Sequence, residues 1–127
     1  MGLDMYLYGR KSTYFSGSSE TVDGKQVTAI EVDLGYWRKH PNLHGFIVDT
    51  FADGVDECQR IPLDSEDIEK IIHAINEKNL PYTEGFFFGK SDNSEAEQAF
   101  DRKVFMEALD WLKAEPSMRH VIYQASW

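Results

Sequence analysis

Residues 28–51, Thr28-Ala29-Ile30-Glu31-Val32-Asp33-Leu34-Gly35-Tyr36-Trp37-Arg38-Lys39-His40-Pro41-Asn42-Leu43-His44-Gly45-Phe46-Ile47-Val48-Asp49-Thr50-Phe51, change hydrophobic period partway along. Thr28, Ile30, Val32 and Leu34 alternate with Ala29, Glu31 and Asp33, the period of two of a half-buried strand. From Pro41 the spacing changes, and Leu43, Phe46, Ile47, Thr50 and Phe51 share one face of a helix. Pro41 suits the first turn, where its missing N–H costs nothing, and Gly54 ends the helix. A strand that passes into a helix through a short polar junction is the first constraint on the fold.

Toward the N-terminus, Leu3, Met5 and Leu7 alternate with Asp4, Tyr6 and Tyr8, giving a strand over 3–11. Ser16-Gly17-Ser18-Ser19 and Asp23-Gly24 supply turn chemistry in the connection, so the two strands pair most simply antiparallel, with a mobile arm between them. Toward the C-terminus a short strand is expected within 57–63. Asp64 then caps a helix with Ile68, Ile71, Ile72 and Ile75 inward, and Leu63 and Ile68 have the spacing of a hydrophobic staple. Asn79, tolerant of the left-handed region, and Pro81 end that helix. Gly85-Phe86-Phe87-Phe88-Gly89 reads as a buried strand or an aromatic plug between glycine hinges. Ser94 and Glu97 form a capping-box pattern opening the longest helix, with Phe100, Val104, Ala108, Trp111 and Leu112 inward, and Pro116 stops it. Val121-Ile122-Tyr123 makes 119–126 a final strand. The expected fold class is α+β: a small antiparallel or mixed sheet with about three helices, the longest near the C-terminus, in a single domain over 1–127.

Composition narrows the function classes. The chain has 127 residues, 42% hydrophobic and 13% aromatic, enough for one core. Asp and Glu total 22 against 13 Lys and Arg, a net charge of −9 that repels phosphate backbones and anionic lipid, so direct nucleic-acid binding is not expected. A lone Cys58 and the absence of a signal-peptide pattern point to reducing cytoplasm. No apolar run reaches the roughly 20 residues of a membrane span.

The densest group of chemically able residues lies at the junction: Tyr36, Trp37, Arg38, Lys39, His40 and His44. A helix N-terminus with basic side chains beside it favours an anion, and flat aromatic rings favour a flat ligand, a combination that describes something nucleotide-like. The competing reading makes the aromatics core and rim and the cations surface partners of carboxylates. Phe86 and Phe88 would add an aromatic wall. His40 and His44 have an i, i+4 zinc-compatible spacing, but the glutamate of HExxH is missing, and Asp49, Asp53, Asp56 and Glu57 lack the calcium-loop pattern, so no metal and no cofactor is expected. Asp56 and Glu57 disfavour a thiolate at Cys58. Phosphate-loop, dinucleotide and hydrolase-elbow motifs are missing.

The opening Met1-Gly2-Leu3-Asp4-Met5-Tyr6-Leu7, the segment Gly35-Tyr36-Trp37-Arg38-Lys39 with Leu43-His44 and Phe46-Ile47-Val48, the stretch Asp53-Gly54 to Cys58, and Gly85–Gly89 together resemble a family of small uncharacterised proteins encoded in phages and bacterial genomes. The resemblance implies a phage or prophage setting, in which small acidic proteins act by binding a host component, and it brings no catalytic residues. The leading expectation is a binding module that holds a small anionic ligand or an acidic partner segment with Tyr36, Trp37, Arg38, Lys39, His44, Phe86 and Phe88. The alternative is an acidic decoy of a host nucleic-acid-binding protein. A third reading is an acid–base enzyme with His44 as proton carrier, Arg38 as anion clamp and Asp56 or Glu57 as orienter.

Overall fold

The computed structural model describes residues 2–13, 20–84 and 89–127. The elements run β1 (Asp4–Ser12), β2 (Thr21–Val22), β3 (Lys25–Gln26), β4 (Ala29–Arg38), α1 (Pro41–Phe51), β5 (Ile61–Leu63), α2 (Ser65–Asn76), α3 (Glu95–Ala114) and β6 (Arg119–Ser126). The fold is α+β, with the longest helix near the C-terminus. Four strands form one antiparallel sheet in the order β4-β1-β6-β5, and β2 and β3 form a separate small hairpin about Asp23 and Gly24, both at positive φ. Among the described residues, no helix is long and apolar enough to cross a membrane.

Alternation decides which side of the sheet each residue takes. Leu3 just before β1, Met5 and Leu7 of β1, Trp37 of β4, Val121, Tyr123 and Ala125 of β6, and Ile61 and Leu63 of β5 are buried against the helices. Leu43, Ile47 and Val48 of α1, Ile68, Ile71 and Ile75 of α2, and Val104, Phe105, Ala108 and Leu112 of α3 meet them in one core. Removing this apolar surface from water is the main drive to fold.

Several expectations need correction. The strand read as ending near Leu34 continues to Arg38: a bulge leaves Leu34 without a partner on β1, after which Gly35–Arg38 pair with Leu7–Asp4. Tyr36, Trp37 and Arg38 are therefore strand residues rather than junction residues. The third strand covers only Ile61–Leu63. Thr50, expected inward, is exposed. Phe100, also expected inward, is 45% exposed, and Asp101 takes the inward position beside it. α2 ends in a Schellman motif, with Asn79 N–H on Ala74 C=O and Lys78 N–H on Ile75 C=O, so Lys78 rather than Asn79 is the left-handed residue. The reciprocal capping box belongs to Asp64 and Asp67. At α3, Ser94 Oγ accepts the Glu97 N–H, but the Glu97 carboxylate reaches back past Ser94 to the N–H groups of Asp92 and Asn93. The arm at Ser16–Ser19 and the phenylalanines Phe86–Phe88 lie outside the described residues.

α3 crosses the sheet where two strand residues have no side chain. A Cβ on Gly9 would sit 2.7 Å from the Trp111 ring, and one on Gly35 would sit 2.5 Å from Val104 Cγ1. Contacts this short force neighbours in a packed core to move. Gly9→Ala is expected to lower stability by about 1–3 kcal/mol, read as a lower urea midpoint at unchanged slope; an unchanged midpoint would show that the Trp111 ring has room to withdraw.

Candidate functional site

The residues picked out around the strand–helix junction separate into three places. Trp37 points into the core beneath the sheet, where its indole N–H donates to Asp101 Oδ1 at 2.7 Å. Asp101 Oδ2 lies 2.6 Å from His40 Nε2, and His40 Nδ1 lies 2.8 Å from Ser91 Oγ, which also accepts the Asn42 N–H. His40 sits at the N-cap position of α1 without capping it; Ser91, from the loop before α3, caps the helix from outside. Asn42 extends the bracket, with Oδ1 accepting Thr83 N–H and Nδ2 donating to Asn93. Lys39, at positive φ, turns the chain from strand to helix, and its side chain packs beside Gly89.

His40, Glu97 and Asp101 are the described group best placed to take a metal ion, with one ligand atom from each lying within 4.8 Å of the others. Each already has protein partners, and His40 and Asp101 are almost wholly buried. A buried carboxylate given an indole N–H and an imidazole is satisfied where it stands, so the group works as a structural bracket.

His44 lies in a second buried chain. Nε2 is 2.9 Å from Asp56 Oδ2, and because a carboxylate only accepts, this nitrogen carries a proton. Nδ1 is 2.6 Å from the Tyr123 hydroxyl, and Trp127 Nε1–H donates to Asp56 Oδ1. Asp56 thus orients His44 as the acid–base reading requires. Both ring nitrogens are occupied within the protein and the ring is 2% exposed, so neither is offered to a substrate in solvent.

Tyr36 stands on the opposite side of the sheet. Asp4, Tyr6, Tyr8 and Arg10 of β1, Ile122 and Gln124 of β6, and Glu31, Asp33, Tyr36 and Arg38 of β4 form the face away from the helices. Among the described residues no helix or strand covers that face, and Tyr36 is 47% exposed. The Tyr6 ring stacks along Tyr8 at 5.9 Å and meets Tyr36 at 5.3 Å. The Tyr36 hydroxyl donates to Asp4, which raises its pKa, and partial burial raises that of Tyr8, so both remain neutral phenols at physiological pH. Arg60 reaches over the Tyr8 ring to an ion pair with Glu31. Phe86 and Phe88 lie outside the described residues.

Sequence reasoning missed Asp101 and the tyrosine row. The first had a signal: Asp101 falls on the stripe of Val104, Phe105, Ala108 and Leu112, and a carboxylate there requires a buried partner. For the second, Tyr6 and Tyr8 fall opposite Leu3, Met5 and Leu7 in the sequence, but Tyr36 joins their face only through the bulge at Leu34.

Two outcomes follow from the buried chains. Asp101→Ala leaves the Trp37 and His40 donors unpaired and is expected to cost about 3–5 kcal/mol in urea unfolding. Burial pushes the Tyr123 phenol well above its ordinary value, with Asp56 adding to the effect. A raised native pKa gives stability that is complete below the unfolded value near 10 and lost above it, because the unfolded chain then releases a proton the native state keeps. Stability is expected to fall by up to about 1.4 kcal/mol per unit above roughly pH 10 from this group, and Tyr123→Phe should flatten that slope. In comparisons with known proteins, no family model, curated protein or solved structure matched this chain.

Proposed function

We propose that the chain is a non-catalytic interaction protein that docks a protein partner on the open face of its sheet. The observation that carries this is the contiguous row Tyr6, Tyr8 and Tyr36, running from β1 to the edge strand β4, which no described helix or strand covers. Tyrosine gives a large contact area at little entropic cost and a hydroxyl for a polar partner, and with arginine it dominates the binding energy of protein interfaces. Arg10, Arg38 and Arg60 surround the row together with Asp4, Glu31 and Asp33. That mixture of signs suits a protein surface and counts against a nucleic-acid backbone, which the net charge of −9 also repels.

A single pocket for a small anion has less support, because Tyr36 and Trp37 take opposite faces of β4 and His44 is closed in. The decoy reading wants carboxylates in one continuous stripe, and those of this face are interrupted by arginines. In the phage or prophage setting that the sequence resemblance suggests, the partner is a host protein met in the cytoplasm.

A photo-crosslinking residue placed at position 36 tests the docking face against one at position 107, exposed on α3. The reading expects one specific protein captured at 36 and not at 107. Tyr6→Ala and Tyr36→Ala should each weaken the purified partner's affinity about 10- to 100-fold with the fold intact. Capture only at 107, or unchanged affinity in both variants, would reject it.

A further inference from the structure

Resting on the docking-face reading, we infer that the groove between Tyr6, Tyr8 and Tyr36 receives an arginine side chain of the partner, seated against the rings with its guanidinium on Asp33. Among the described residues the groove is lined by Tyr6, Tyr8, Asp33, Leu34, Gly35 and Tyr36, and of these Asp33 alone carries a formal charge. The bulge shapes it: Leu34 has no partner on β1, and the chain enters the next pair at Asp33 opposite Tyr8. Bulges re-aim side chains and bend a strand locally.

The same face already holds one guanidinium in this manner. Arg60 Cζ stands 5.8 Å from the centroid of the Tyr8 ring, and the group ends on Glu31, so an aromatic face and a carboxylate together fix the cation. Tyr6, Tyr36 and Asp33 repeat those elements one step toward the other end of the strands. Among the described residues no cation fills this second position: the Asp33 side chain is exposed and forms no hydrogen bond or ion pair. Arg38 is opposite Asp4, beyond Tyr36, and does not line the groove.

Charge complementarity therefore selects a cationic occupant. Arginine fits better than lysine, since its planar group lies flat on a ring while giving two parallel hydrogen bonds to one carboxylate. The acidic chain as a whole also draws a cationic partner toward it.

The probe is N-acetyl-arginine methylamide, titrated into the isotope-labelled full chain by NMR beside its neutral, nearly isosteric citrulline counterpart. Saturable shifts centred on the Tyr6 and Tyr36 rings and the Asp33 amide are expected with arginine, at a Kd on the order of millimolar for a single side chain. They should be at least roughly tenfold weaker with citrulline and with Asp33→Asn. Asp33 is exposed, so this variant leaves the core alone. Equal shifts with citrulline, shifts confined to Glu31 and Arg60, or no saturable shift would overturn the inference. If those results came with crosslinking at position 36 intact, the docking face would stand without its arginine. Arginine binding without any capture at position 36 would instead remove the docking reading and leave the groove as a cation site.

Discussion

A carboxylate sealed under a sheet has to be answered by donors from its surroundings, and that requirement organises this molecule. Asp101 belongs to α3, Trp37 to β4 and His40 to the start of α1, and all three meet within hydrogen-bond distance away from water. The pairing fixes the rotation of α3 about its axis, because turning it would strand the carboxylate, and it sets where β4 gives way to α1. Ser91 and Asn42 then carry the constraint out to the loops before α3 and after α2. A hydrophobic core alone would tolerate small slides of α3 over the sheet, whereas a buried hydrogen-bonded pair penalises them steeply.

That rigidity reaches the other side of the sheet through β4. Trp37 is held from below, and its neighbours Tyr36 and Arg38 are aimed outward by the strand's alternation. An interface built from side chains on a four-stranded sheet is positioned more firmly than one carried on loops. The polar network beneath and the tyrosine row above thus divide the work, the first ordering the scaffold and the second meeting solvent.

The elements that the sequence revealed are those whose local signals agree with their tertiary surroundings. The boundaries of α1, α2 and β6 follow from Pro41, Asp64 and the Val121-Ile122-Tyr123 run, each acting within a few residues. The misreadings of the sheet and core share one cause, in that they depend on chain segments far apart in sequence, whereas those at the ends of α2 and α3 are shifts of a residue or two in local capping. The alternation of Thr28, Ile30, Val32 and Leu34 breaks at Gly35, yet the strand continues, and Val104 occupies the space a Gly35 side chain would need. Phe100 was assigned to the core by its apolarity, but Asp101 takes the inward position because indole and imidazole donors await it there. The same holds for the site: the polar residues at 36–44 were identified, but which side each faced depended on a bulge at Leu34 that no local pattern announces.

The strand order also bears on how the chain comes to fold. β1 lies inside the sheet, with β4 on one side and β6 on the other, so Asp4 finds one neighbour at Arg38 and the other at Ser126. During synthesis the β1–β4 hairpin can close early, but its second edge and the apolar face of Leu3, Met5 and Leu7 stay open until nearly all the intervening chain exists. Such long-range closure is slow and leaves an intermediate prone to pairing with other chains. The exposure of β1 during folding thus depends on how quickly β6 arrives, a property of the sheet's wiring and not of its final stability.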